Sequence, residues 1–348
     1  MNLASPSSDL FADSAKAQRR ALAKAITLLE STRADHRAQA DDMLNALLPR
    51  TGQAMRLGIS GVPGVGKSTF IEALGLALIE RGHRVAVLAV DPSSSINGGS
   101  ILGDKTRMER LSVHPQAYIR PSPASGTLGG VAEKTREAML VCEAAGYDVV
   151  MVETVGVGQS ETAVAGMTDM FILLQLPNAG DDLQAIKKGV MELADLVVIN
   201  KADIDPLAAS RAESQIASVL RVYSPPGSPD DPHHAEAAVH WSPQVMQLSA
   251  LRGQGIAAFI AQVDRFHALR RADGEFAARR QQQAMAWMWD LIHARLQNDF
   301  KQHPAVRARL PGLLGDVRES RVAPSVAARA LLSEFESPLT AEDISPNP

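Results

Sequence analysis

The chain has 348 residues, a hydrophobic content of 45% and a formal net charge of −4. This length suffices for one large α/β core with a smaller appendage, and the nearly balanced charge gives no indication of a nucleic-acid partner. The single cysteine, Cys142, excludes an internal disulfide and a cluster of thiolate metal ligands. No apolar run reaches the length of a membrane span, and the N-terminus lacks a signal-peptide core, so we expect a cytoplasmic protein without a membrane partner.

The N-terminal part is predicted to be helical from residue 14 to residue 48. Ala21, Leu22, Ala25, Ile26 and Leu29 recur at helical spacing, and a second apolar stripe ends at Leu48. Pro49 and Gly52 then interrupt the pattern. We therefore expect an N-terminal helical extension over residues 1–50.

A glycine-rich segment follows a short predicted strand, Met55–Ser60, and precedes an apolar-faced helix, Phe70–Glu80. The segment fits the pattern G-x-x-x-x-G-K-[ST], in which backbone N–H groups at a helix start surround a polyphosphate. In this pattern Lys67 reaches the β- and γ-phosphates, and Ser68 gives its hydroxyl to Mg²⁺. The predicted phosphate-binding residues are Gly61, Val62, Pro63, Gly64, Val65, Gly66, Lys67, Ser68 and Thr69.

From residue 51 to residue 265 predicted strands and helices alternate. Continuous apolar runs are typical of buried parallel strands rather than half-exposed ones. The fold class expected is α/β, a mostly parallel P-loop NTPase sheet with helices on both faces and with N- and C-terminal helical extensions. The runs are Val85–Val90, Val149–Val152, Met170–Leu176, Leu196–Ile199 and Val245–Leu248.

Acidic residues stand where ligands bind in such sheets, at the carboxyl ends of strands. Asp91 ends one apolar run and Glu153 ends another, while Asp104 lies in a loop rich in Gly, Ser and Asn. We predict Mg²⁺ bound with GTP or GDP by Ser68, Asp91, Asp104 and Glu153.

Glu153-Thr154-Val155-Gly156 has the form of a switch turn, in which the Gly156 N–H senses the γ-phosphate. The predicted catalytic residues are Lys67, Asp104 and Glu153. The residue that positions the attacking water is left open between Asp104, Glu153 and Gln159.

The segment Asn200-Lys201-Ala202-Asp203 follows an apolar strand and matches the guanine-reading pattern N-K-x-D. The Asp203 carboxylate can accept from the N1–H and 2-amino groups of guanine, and adenine offers neither donor. Ser249-Ala250-Leu251 ends the next strand, where a backbone N–H can meet the base O6. Together with the phosphate loop, these two segments favour GTP over ATP.

Beyond residue 265 the pattern changes to helices without strands, and we assign residues 266–348 to a C-terminal arm with a frayed tail. The run Ala284–Phe300 carries adjacent Trp287, Met288 and Trp289, which cannot share one face of a helix. Pro304 and Pro311 are predicted to separate shorter helical pieces up to about Glu336. A helix that is apolar on more than one side needs a second surface, so a homodimer is expected.

With these residues established, the chain resembles the MeaB/ArgK family of P-loop GTPases over roughly residues 20–335. Four stretches carry the resemblance, and two departures accompany it: Ser95-Ile96-Asn97 replaces a usual proline followed by Thr or Ser, and Asn178 replaces a usual glycine. The stretches are Asp91–Ser94 with Gly98–Met108, Arg120–Pro123 with Ser125–Gly130, Glu153–Glu161, and Gly180–Gly189 with Glu192–Asp195.

The resemblance implies a GTP-gated chaperone for an adenosylcobalamin-dependent acyl-CoA mutase that controls cofactor loading or protection, with hydrolysis stimulated by the mutase. It also implies an additional switch that contains Asp182, Gln184, Lys187 and Lys188, and a C-terminal dimerisation arm. The chain lacks the cobalamin-binding pattern D-x-H-x-x-G, so we expect it not to hold cobalamin alone.

Two other functional classes compete with this interpretation. Some relatives have been labelled ATP-dependent kinases of a periplasmic amino-acid transport protein, but such a kinase has no need of Asp203. Nickel-delivery GTPases share the architecture but use Cys and His ligands near their switches, and Cys142 has no adjacent histidine.

Overall fold

The computed structural model describes residues 10–11, 14–90, 108–121, 128–154, 160–177, 188–223 and 241–336. In these ranges seven strands form one sheet with every pairing parallel, in the order β3-β2-β4-β1-β5-β6-β7. The strands are β1 Met55–Gly61, β2 Val85–Val90, β3 Ala117–Arg120, β4 Val149–Thr154, β5 Met170–Gln175, β6 Leu196–Ile199 and β7 Gln244–Gln247.

Helices cover both faces of this sheet, which confirms the predicted fold class. They are α1 Ala15–Leu29, α2 Ala34–Leu47, α3 Lys67–Glu80, α4 Glu109–Val113, α5 Leu128–Ala144, α6 Ser160–Ala165, α7 Lys188–Met191, α8 Pro206–Tyr223, α9 Ile256–Ala272, α10 Glu275–Gln302, α11 Pro304–Arg318 and α12 Pro324–Glu336. Within the described residues, no helix is both long enough and apolar enough to cross a bilayer.

The core lies in two layers, one on each side of the sheet. In β5, Phe171 and Leu173 join the layer under α1, α2, α5 and α8, whereas Ile172 and Leu174 join the layer under α3 and α9. This two-residue alternation is the period of a β-strand. In the second layer Phe70 of α3 meets Phe259 of α9 edge to face, with ring centroids 5.0 Å apart.

Cys142 lies fully buried in the first layer. Burial in apolar surroundings raises the pKa of its thiol well above the ordinary value, because the thiolate would lose its hydration. A buried thiol of this kind fills space in the core and is chemically inert.

The sequence missed strand β3 and misplaced some boundaries. Ala117–Arg120 is a four-residue edge strand without a continuous apolar run, so its composition carried no signal. Strand β7 is only partly buried, unlike the buried strand that its apolar run predicts. The N-terminal region is not one continuous helix, because α1 ends at Leu29 and α2 begins at Ala34.

The C-terminal helices also differ from the prediction. Pro304 begins α11, as expected of a proline in a first helical turn, but Pro311 lies inside that helix and does not end it. The chain divides into two compact units, one up to Gln283 and one from Ala284. In the second unit Phe335 of α12 packs against Phe300, with ring centroids 5.5 Å apart. The domain boundary at residue 265 stays a prediction.

Candidate functional site

The parallel register brings the predicted nucleotide-binding segments to one edge of the sheet. Ile59 of β1 pairs with Glu153 of β4, Gly61 pairs with Leu174 of β5, and Ile199 of β6 pairs with Gln247 of β7. Each of these strands therefore ends at the same edge of the sheet, and the described loops that follow β1, β6 and β7 lie there. This is where open α/β sheets bind their ligands.

The glycine-rich loop between β1 and α3 contains two glycines at which any other residue would be strained. Gly61 has φ +152° and Gly66 has φ +94°, a region that L side chains rarely adopt. A Cβ on Gly61 would lie 2.6 Å from the carbonyl oxygen of Leu174, and one on Gly66 would lie 2.8 Å from the side-chain nitrogen of Asn200. Neighbouring residues therefore lie in close contact with the backbone at both glycines. The loop leads directly into the N-terminus of α3.

Lys67, the first residue of α3, folds back over this loop. Its Nζ donates to the carbonyl oxygen of Gly61 at 2.6 Å and approaches that of Val62 at 3.5 Å. Ser68 and Thr69 follow in the first helical turn and are partly buried. The ammonium group and the N-terminus of α3 place positive charge at the same point, an arrangement that suits a polyphosphate.

Asn200 holds three loops together at the end of β6. The side chain is 2% exposed; its Nδ2 donates to the carbonyl of Val65 at 2.8 Å. Its Oδ1 accepts from the backbone N–H of Lys201 at 2.8 Å and from that of Ala250 at 3.0 Å. Both polar atoms of the amide therefore take part in joining the phosphate loop to the two segments predicted to read guanine.

Lys201 connects two of the same loops at the protein surface. It has φ +60°, a left-handed conformation that is uncommon for a residue with a side chain. Its Nζ donates to the carbonyl oxygen of Gly64 at 2.8 Å. Uncommon backbone conformations that the surrounding structure holds in place are frequent at functional sites.

The Ser249–Leu251 segment forms a tight turn beside Asp203. Ser249 and Gln254 exchange two backbone hydrogen bonds, and the Ala202 N–H donates to the carbonyl of Leu248 at 3.1 Å. Arg252, which the sequence did not single out, places Nε 3.7 Å from the Asp203 carboxylate. Because Arg252 is exposed, this ion pair is weak, and no local sequence signal distinguished it.

Of the three carboxylates predicted to bind magnesium, Glu153 lies in the described residues. It is 5% exposed at the end of β4, and the strand period places it with Met151 on the face covered by α3. The next residue, Thr154, lies on the opposite face and donates from Oγ1 to the Ser60 hydroxyl at 2.9 Å, which ties β4 to β1.

Several predicted residues lie outside the described ranges. They are Asp91, Asp104, Gly156, Gln159, Asp182, Gln184 and Lys187, together with the departures at residues 95–97 and 178. Lys188 is the first residue of α7. Among the described residues, no group of three or more His, Cys, Asp or Glu side chains is arranged to hold a metal ion. The roles of all these residues stay proposals.

The chain matches a family described as methylmalonyl-CoA mutase-associated GTPase MeaB over residues 22–305. A putative GTPase of Caulobacter vibrioides is 56% identical over 317 residues, which cover 91% of this chain and 94% of that protein. The Mus musculus protein called methylmalonic aciduria type A homolog, mitochondrial, is 46% identical over 339 residues, which cover 94% of this chain and 79% of that protein.

A crystal structure of an LAO/AO transport system kinase has a TM-score of 0.75 to this chain at 36% identity, with 97% of this chain and 99% of that chain covered. The family match extends over most of the chain, and the phosphate loop and the N-K-x-D segment meet at one sheet edge. The chain belongs to the MeaB family of P-loop GTPases.

Proposed function

We propose that this GTPase is a chaperone that binds an adenosylcobalamin-dependent acyl-CoA mutase and gates the loading or protection of its cofactor. The observation that carries the proposal is the family match over residues 22–305, since that family is described as mutase-associated. The name of the mouse relative, a methylmalonic aciduria type A homolog, points to methylmalonyl-CoA mutase as the client. Cobalamin itself is assigned to the mutase.

The nucleotide specificity rests on Asp203 and the Ser249–Leu251 turn. Asn200 fixes both segments relative to the phosphate loop through hydrogen bonds of 2.8 and 3.0 Å. A base bound there would meet the Asp203 carboxylate, which guanine satisfies with two donors and adenine leaves unpaired. We therefore assign GTP as the substrate and GDP with phosphate as the products.

The donor groups at the sheet edge fit Mg²⁺. Hydroxyl and carboxylate oxygens are its preferred protein ligands, and Ser68 and Glu153 lie on the α3 side of the sheet. We assign the ion to these two residues with Asp91 and Asp104, directly or through water. Bound Mg²⁺ would neutralise charge on the β- and γ-phosphates.

We assign the hydrolysis of GTP to the same edge of the sheet. Lys67 would stabilise charge on the transferred phosphoryl group, while Asp104, Glu153 and Gln159 are the candidates for orienting water. Release of the γ-phosphate would change the conformation at Gly156 and in the additional switch that contains Asp182, Gln184, Lys187 and Lys188. We propose that the mutase reads this change.

The proposal is tested with purified protein and methylmalonyl-CoA mutase. The two proteins should form a complex whose stability depends on GTP or GDP, and the mutase should raise the rate of GTP hydrolysis at least about tenfold. Pull-down and phosphate release measure these effects. Lys67→Ala is the control, because it should lose triphosphate binding while its melting temperature stays close to that of the wild type.

A second candidate function comes from the crystal structure of the LAO/AO transport system kinase. A kinase of this kind would use ATP and transfer the phosphoryl group to a protein. Competition between GTP and ATP separates the two functions. Tight ATP binding without preference for GTP, or absence of a complex with the mutase in every nucleotide state, would contradict the chaperone proposal.

We also propose that the protein acts in the cytoplasm as a homodimer formed by its C-terminal arm. Support for the dimer comes from the apolar side chains that α10 exposes between Met285 and Leu296.

A further inference from the structure

The turn that follows β7 holds the backbone of Arg252 beside the proposed base site. Ser249 is 2% exposed and exchanges two backbone hydrogen bonds with Gln254, at 3.0 and 3.1 Å. The backbone N–H of Arg252 donates to the Ser249 hydroxyl at 3.3 Å. A Cβ on Gly255, the residue after Gln254, would lie 2.8 Å from the Cβ of Leu248, so the end of the turn packs closely against the chain that leaves β7. These contacts restrain the position of Arg252.

The backbone that carries Asp203 is tied to the same place. The N–H of Ala202 donates to the carbonyl oxygen of Leu248 at 3.1 Å, which joins the residue before Asp203 to the end of the neighbouring strand. Nε of Arg252 then lies 3.7 Å from a carboxylate oxygen of Asp203. Water still reaches both groups, since 69% of the Arg252 side chain and 23% of the Asp203 side chain are exposed. With the site open to water, this ion pair contributes little to stability.

A guanine base bound to Asp203 would change the surroundings of this ion pair. The base would displace water from the carboxylate and offer two neutral donors in return. An anion removed from water needs hydrogen bonds and an opposite charge, and the attraction between charges increases as water is excluded. Lys201, the basic residue of the N-K-x-D segment, donates its Nζ to the carbonyl oxygen of Gly64 at 2.8 Å instead. Arg252 can supply the charge, because a carboxylate has lone pairs for both the base and a guanidinium.

We propose that Arg252 is a positioning residue for guanine recognition, which supplies the counter-charge to Asp203 when the base covers that carboxylate. The inference rests on the proposed binding of guanine by Asp203. Arg252 acts through the Asp203 carboxylate and need not touch the base. Its contribution should therefore appear in the affinity for guanine nucleotides and not in the rate of the chemical step.

The test measures GDP affinity by calorimetry for Arg252→Ala, Arg252→Lys and a control. Arg252→Ala should weaken GDP binding about fivefold, the upper end of what exposed ion pairs contribute, and leave kcat for GTP hydrolysis within about twofold of the wild-type value. Arg252→Lys keeps the positive charge and should recover most of the affinity. Arg265 is exposed on α9, so Arg265→Ala removes the same charge elsewhere and should match the wild type.

A second arm of the test removes the negative charge that Arg252 is proposed to balance. In Asp203→Asn the carboxylate is replaced by a neutral amide, and xanthosine diphosphate is the probe. Addition of Arg252→Ala to Asp203→Asn should change the affinity for this nucleotide less than about twofold, because the two substitutions affect one interaction. A role of Arg252 confined to the structure of the turn would lower the affinity in both backgrounds.

Wild-type GDP affinity in Arg252→Ala would overturn the inference, and so would an equal loss of affinity in Arg252→Lys. The same loss in the Asp203→Asn background would also overturn it, since Arg252 would then not act through Asp203. A wild-type protein that binds no guanine nucleotide would contradict the assignment of GTP, and the inference with it. Calorimetry on the wild type therefore separates a failure of the proposed function from a failure of the inference alone.

Discussion

At the scale of single residues, the candidate site is organised around one buried amide. Asn200 uses both of its polar side-chain atoms on the protein, with Val65, Lys201 and Ala250 as partners. Its pattern N-K-x-D predicts a place in the guanine-binding segment, and the structure adds that its side chain connects three loops. Loss of such a buried amide would leave several backbone groups unpaired at once.

Asp203 carries the residue-scale prediction about specificity. Asp203→Asn should lower GTP affinity about 10- to 100-fold, because a charged acceptor facing two base donors is replaced by a neutral amide. The amide can donate to the 2-oxo group of xanthine, so xanthosine triphosphate should gain affinity. Calorimetry with GTP and with xanthosine triphosphate measures both changes in affinity.

Asp205→Asn is the matched control for that substitution. Asp205 lies two residues further on and accepts from the Ala208 N–H at 2.9 Å at the start of α8. The substitution Asp205→Asn should change the stability of the protein slightly and leave its preference for guanine intact. Equal affinity of Asp203→Asn and wild type for GTP would remove Asp203 from the base site.

At the scale of elements, the phosphate loop shows how backbone geometry and packing combine. The sequence was sufficient to predict a strand, a glycine-rich turn and a helix here, because each signal is local. It could not show that Gly66 abuts Asn200, which lies far along the chain at the end of β6. Strand β3 escaped prediction for a related reason, since its place at the sheet edge comes from pairing with β2.

A comparison of two glycines with the same φ separates the effect of backbone strain on stability from the effect of side-chain packing. Gly66 and Gly82 both have φ +94°, but a Cβ on Gly66 would meet Asn200 at 2.8 Å, whereas a Cβ on Gly82 would face open space. Gly82→Ala should cost about 1–2 kcal/mol of stability and leave GTP affinity unchanged. Gly66→Ala should cost at least about 1 kcal/mol more, because Asn200 must move and its hydrogen bonds weaken.

Differential scanning calorimetry and GTP titration measure the two effects. If Gly66→Ala keeps wild-type GTP affinity, the close contact with Asn200 has no bearing on nucleotide binding. Equal melting temperatures for the two variants would show that backbone strain alone accounts for the loss.

At the scale of the whole molecule, the unit from Ala284 presents an apolar stripe. Side chains on α10 that recur at intervals of three and four residues lie on one helix face, and each is at least 36% exposed. They are Met285, Met288, Trp289, Ile292 and Leu296. A contiguous exposed apolar stripe of this kind marks a protein interface, and a second copy of the chain is the occupant that we propose.

Ile292→Glu tests this assignment. A charge buried in an apolar interface without a partner should raise the dimer dissociation constant at least about 100-fold, so the variant should be monomeric by light scattering. Ala294→Glu is the control, because residue 294 lies on the opposite, exposed side of α10 and should leave the dimer intact. A wild-type protein that is monomeric at micromolar concentration contradicts the dimer.

The amino-acid sequence by itself determined the alternation of helices with every strand except β3, the phosphate loop, the N-K-x-D segment and the family. Each of these features depends on residues that are contiguous in the sequence, and their spacing reflects local backbone geometry. The tertiary structure decided which contacts Asn200 and Arg252 make, because each contact joins residues that are distant along the chain. Parallel pairing of the strands is the physical reason, since it brings segments separated by a whole helix to one edge of the sheet.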